Sequence, residues 1–137
     1  MPPPAFASRA YDVLASLGDY AARSVDPGLR IGVTGLARSG KTVFTTALVH
    51  NLVQNAALPA LRASQEGRIR RARLAPQPDD AVPRFAYEDN LRMLAEERRW
   101  PSSTSRVSEL RVDIAYERGR GAWRSGPAGL HLDIVDY

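Results

Sequence analysis

Eighteen of the 19 basic side chains are arginine, and the single lysine, Lys41, stands inside Gly35-Leu36-Ala37-Arg38-Ser39-Gly40-Lys41-Thr42. That octet has the spacing G-x-x-x-x-G-K-[ST], in which glycines let a loop curl until successive backbone N–H groups converge on phosphate oxygens. The chemistry asks for an ammonium: a compact cation on a flexible stem reaches between two phosphates where a planar guanidinium fork does not fit. The candidate phosphate contacts are therefore Gly35, Leu36, Ala37, Arg38, Ser39, Gly40, Lys41, Thr42 and Val43. Lys41 would neutralise the transferred charge, and the Thr42 hydroxyl is the first candidate ligand for Mg²⁺.

A loop of this kind works only between a strand and a helix. Residues 29–34 form a short apolar run rich in β-branched side chains, entered through Asp26-Pro27-Gly28, and read as a buried parallel strand. After the loop, Phe44, Leu48 and Leu52 recur every fourth residue with Val43 and Ala47 beside them, predicting one apolar helical stripe to about Asn55.

The C-terminal third changes period from helical to alternating. Leu110, Val112, Ile114 and Tyr116 alternate with polar residues, and a glycine-rich connection over 119–129 leads to a second apolar run ending in Asp136, which together predict a hairpin. An aspartate at the end of such a strand suits a second Mg²⁺ ligand beside the phosphates, so Asp136 takes that role and Asp133 is assigned to the other side of the hairpin. Before the hairpin lies Pro101-Ser102-Ser103-Thr104-Ser105. A hydroxyl here could meet Mg²⁺ and the γ-phosphate, Thr104 being the first candidate and Ser103 the second. Arg99, just upstream, is the candidate for an arginine supplied to the transition state.

The remaining elements frame this site. Amphipathic patterns predict helices over about 7–23 and 87–99, the second closed by Trp100-Pro101. At 137 residues the chain holds one domain at most, and without cysteine it has neither disulfides nor thiolate metal ligands. His50 and His131 lie too far apart in sequence to suggest a zinc cluster. No apolar run reaches 18 residues and Met1-Pro2-Pro3-Pro4 does not begin a signal peptide, so a cytoplasmic location is expected. The net charge of +4 comes largely from residues 62–73, where no aromatic side chain is interleaved with the arginines, and that segment reads as a solvated face.

Taken together, LRIGVTGLARSGKTVF over 29–44, Arg99-Trp100-Pro101 with Ser103-Thr104, Ser108-Glu109-Leu110-Arg111 and the run from Leu132 to Tyr137 resemble the YcjX-like family of bacterial P-loop NTPases. The resemblance implies an α/β, G-domain-like fold with a helical insertion over 56–100 between the first helix and the second strand. The chain is expected to divide into an N-terminal helical segment, 1–28, and the N-terminal part of a nucleotide-binding domain, 29–137. In the family Asp136-Tyr137 is followed by Pro-Gly, so the resemblance implies an N-terminal fragment with an incomplete sheet, and a link to stress responses.

The expected function is binding of a purine nucleoside triphosphate with Mg²⁺, and hydrolysis by in-line water attack at full length. A hairpin after the first helix, with its aspartate on the second arm, is the strand order of a G domain and favours GTP over ATP. The alternatives are an ATPase and a regulatory module that binds nucleotide without turnover. The partners implied are a nucleoside triphosphate and an unidentified protein, with no strong signal for nucleic acid or membrane.

Overall fold

A computed structural model describes residues 27–103, 105–121 and 126–137. The helix expected over 7–23 lies outside the described residues. The elements are β1 (Gly28–Val33), α1 (Lys41–Val53), α2 (Arg62–Gln65), β2 (Ile69–Ala75), α3 (Tyr87–Ala95), β3 (Ser108–Glu117) and β4 (Pro127–Asp136). The strands form one sheet in the order β1-β4-β3-β2, with β4 parallel to β1 and antiparallel to β3.

The hairpin forms because alternation buries one face. Leu110, Val112 and Ile114 on β3 share that face with Leu132 and Ile134 on β4, and Val49 and Leu52 of α1 close over them. Phe85 and Tyr87 complete the core at the entrance to α3. The segment before α3 is held at the sheet edge by Phe85 N–H donating to Glu109 O at 2.9 Å and Glu109 N–H to Pro83 O at 2.9 Å.

The opposite face carries the charged residues of the hairpin together with the buried Val135. Arg111 grips Asp133 through Nε at 2.6 Å and Nη2 at 2.8 Å. Arg30 lies 3.3 Å from the carboxylate of Glu109, a residue with 0% exposure. His131 Nδ1 meets Asp113 at 2.6 Å. Cross-strand register makes two of these pairs, Arg111 with Asp133 and Asp113 with His131, and sets Arg30 opposite Asp133 on the other side, from where it reaches across β4 to Glu109.

Three expectations change. Residues 56–100 are not a run of helices: α2 and α3 are short, and β2 lies between them as a fourth strand on the sheet. The buried residues of α1 are Thr45, Thr46, Val49 and Leu52; of the expected stripe Leu52 is buried and Leu48 packs against the core, whereas Ala47 is exposed and Phe44 is 56% exposed. Helix α3 stops at Ala95, short of Arg99, because Arg98 takes a left-handed backbone (φ 52) and Arg99 N–H turns back to Met93 O at 2.9 Å.

Candidate nucleotide-binding site

β1 runs directly into the loop, and two glycines permit its shape. Gly35 and Gly40 have φ of 155 and 91, where a side chain is strained. A Cβ on Gly35 would also stand 3.1 Å from Ser39 Oγ. Ser39 N–H closes a turn onto Leu36 O at 3.1 Å, and Gly40 caps α1 without a side-chain hydrogen bond. The first bond of the helix is Phe44 N–H to Gly40 O at 2.9 Å, so the amides of Lys41, Thr42 and Val43 have no intrahelical acceptor. No acidic residue stands in the first turn. The positive end of the helix dipole is therefore not neutralised locally, which is the condition for anion binding at a helix start.

Lys41 Nζ folds over the loop and donates to Gly35 O at 2.9 Å and Leu36 O at 3.1 Å. An ammonium has three protons, so these two contacts hold it at the mouth of the loop with one donor remaining.

Residues 37–43 form one wall of a cleft of about 600 Å³, and Trp100, Pro101 and Ser103 form the other. That volume lies within the range of small-molecule sites. Ser103, the second hydroxyl candidate, is thus placed opposite the loop, whereas Thr104 lies outside the described residues. Arg99 does not line the cleft; its guanidinium is paired with Glu97 at 3.0 Å. Trp100 was not singled out for a role in the sequence, yet it is 76% exposed and faces the loop across the cleft. Its place follows from the turn at Arg98, which comes after the end of α3 and redirects the chain before Trp100 and Pro101. A ligand in this cleft should remove Trp100 from water. In a Trp123→Phe variant, nucleoside triphosphate should shift the remaining emission to the blue, and an unchanged spectrum at saturation would place Trp100 outside the bound complex.

The two hairpin aspartates have different surroundings. Asp133 faces away from α1 and is held by Arg111, whose hydrogen bond is the main cause of a carboxyl pKa below the ordinary value; nearby Arg30 and His131 act in the same direction. Asp136 shares the core-side phase of Leu132 and Ile134, is 1% exposed, and ends β4 opposite Val33, the residue that closes β1 before the loop. Thr42 lines the cleft, but Asp136 is not on its surface.

The Thr42 hydroxyl and the Asp136 carboxylate are hard oxygen donors of the kind Mg²⁺ takes, and that ion needs few protein ligands beside phosphates and water. No cluster of three or more His, Cys, Asp or Glu able to hold a metal occurs among the described residues.

A mixed sheet whose edge strand enters a glycine loop and an uncapped helix is compatible with the P-loop NTPase fold. Residues 29–137 match the YcjX-like family, DUF463, and the chain belongs to that family. It is 40% identical over 121 residues to a Ras-like GTPase YcjX of Escherichia coli (strain K12), covering 84% of this chain and 26% of the relative. It is 39% identical over 129 residues to a Ras-like GTPase YcjX of Shewanella oneidensis, covering 84% of this chain and 27% of the relative. The chain thus spans about a quarter of the length of these curated relatives. Among the described residues, no helix is long and apolar enough to cross a membrane.

Proposed function

We propose that this chain binds a purine nucleoside triphosphate with Mg²⁺, prefers GTP to ATP, and at full length takes part in its hydrolysis. The observation that carries the reading is the cleft formed by the uncapped, acid-free start of α1 and the Lys41 ammonium. Preference for GTP is supported by the strand order, in which the second hairpin arm lies parallel to β1, and by the GTPase names of the relatives.

The loop amides would orient the phosphate chain, and Lys41 would leave its loop carbonyls to balance the β and γ charges. Thr42 and Asp136 would hold Mg²⁺, which supplies neutralisation of charge developing between the β and γ phosphates. Ser103 and Thr104 belong to the segment that would close on the γ-phosphate, and Trp100 would limit access of bulk water from the open side. Arg99 would contribute to turnover only after exchanging Glu97 for phosphate.

Competition between GTP and ATP for a fluorescent GTP analogue on the full-length protein tests the preference; tighter displacement by ATP would reverse it. In the same titration, Asp136→Asn should weaken Mg²⁺-dependent triphosphate binding more than metal-free diphosphate binding, and equal losses would indicate a folding role. Arg99→Ala should lower the hydrolysis rate with affinity unchanged, and an unaltered rate would leave Arg99 as the partner of Glu97.

A further inference from the structure

Of the arginines of residues 62–73, expected to form a solvated face, Arg62, Arg70, Arg71 and Arg73 are exposed, and the last three lie on an edge strand. β2 pairs with β3 on one side, and no described element pairs with its other side, so part of its backbone N–H and C=O array is directed outward. A register irregularity between Ile69 and Arg71 leaves residues 71–75 as the regular stretch.

The two faces of that stretch differ. Ala72 and Leu74 stand opposite Ile114 and Val112 and join the core layer. Arg71 and Arg73 stand opposite Ala115 and Asp113 on the opposite face. Their charges are loosely matched. Arg73 is 4.0 Å from Asp113, which His131 already engages at 2.6 Å, and Arg71 has no ion pair among the described residues. By contrast, the internal Arg111–Asp133 pair closes to 2.6 Å. Beyond the irregularity, Arg118 and Arg120 line the same cleft as Arg70, together with Glu66 and with Glu117, which lies 3.5 Å from Arg70.

We propose that β2 is a docking edge for an extended protein segment in which acidic and apolar residues alternate. Backbone pairing would supply affinity. Acidic side chains would face Arg71 and Arg73, and apolar side chains would continue the layer of Ala72 and Leu74. The same arginines disfavour a second copy of this chain, whose edge would bring like charges together.

The probe is a fluorescein-labelled octapeptide of alternating glutamate and valine, titrated by anisotropy into full-length protein. A block peptide of four glutamates and four valines should bind about tenfold or more weakly, as should one of two alternating peptides N-methylated at all valines or at all glutamates, because cross-strand pairs and the backbone bonds of one residue set depend on register. The double variant Arg71→Glu, Arg73→Glu should lose about tenfold or more toward the alternating probe while retaining nucleotide affinity. Amides of residues 71–75 should exchange more slowly when the probe is bound. Absence of binding, equal affinity for the block peptide, or indifference to both N-methylations would overturn the proposal. So would binding of a single-stranded oligonucleotide or an anionic phosphatidylglycerol vesicle as tightly as the alternating peptide with the same arginine dependence, an outcome that would assign the edge to polyanions.

Discussion

Lys41→Ala should weaken triphosphate binding on the order of 10²-fold to 10⁴-fold. The ammonium is the one compact cation in the loop, and the proposed contacts to β and γ oxygens are charge-assisted hydrogen bonds, each contributing about 1.5–3 kcal/mol. The expected defect is confined to the ligand, because the two hydrogen bonds of Lys41 go to the loop's own carbonyls at Gly35 and Leu36. Titration with a fluorescent GTP analogue, together with amide exchange of the core strands, separates loss of binding from loss of fold. Affinity within a factor of two of the unaltered protein would remove the central reading of the site. Lys41→Arg should fail as well, since the planar fork cannot occupy the position of a point charge held 2.9 Å and 3.1 Å from two successive carbonyls.

Arg111→Ala should destabilise the β3–β4 hairpin by about 2–3 kcal/mol at neutral pH, below the range for a fully buried ion pair because both partners keep some exposure. The loss arises from leaving the Asp133 carboxylate largely buried without its bidentate donor. Its pH dependence has a definite sign. Asp133 is held below its ordinary value of 3.8, first by the hydrogen bond from Arg111 and also by the nearby positive charges, against the opposing effect of burial. A depressed carboxyl contributes stability above its unfolded pKa and loses it as pH falls through the folded value. The deficit of Arg111→Ala should therefore be full at pH 7 and narrow below about pH 4. Native-state hydrogen exchange of the β3–β4 amides measures both quantities; a deficit unchanged between pH 7 and pH 3 would show that Arg111 acts through packing of its stem.

The helix α1 has a separate lesson for mutagenesis. Phe44 is the most apolar residue of its first turns, but it points outward, while Thr45 and Thr46 are buried against the sheet. Thr46 Oγ1 returns a hydrogen bond to Thr42 O at 2.7 Å, which lets a hydroxyl occupy the core side of the helix without losing its partner. A hydrophobic period alone found Leu48 and Leu52 but put Phe44 in place of the threonines.

The phosphate loop was legible in the amino-acid order because its eight residues are contiguous and its backbone demands are local: glycine at 35 and 40, an ammonium at 41, a hydroxyl at 42. The hairpin was legible for a related reason, since Leu110, Val112 and Ile114 keep a period of two on β3 and a second apolar run, buried over its last five residues, follows on β4. β2 escaped because Arg70, Arg71 and Arg73 interrupt its apolar positions and the irregularity at Ile69/Arg71 breaks the alternation. The burial of Thr45 and Thr46 on α1, the position of Trp100 beside the loop and the Arg111–Asp133 pair depend on residues distant in the chain. Side-chain period can indicate that a face exists, but which groups meet across it follows from strand register and from the turn at Arg98, and these are settled when the sheet and core assemble.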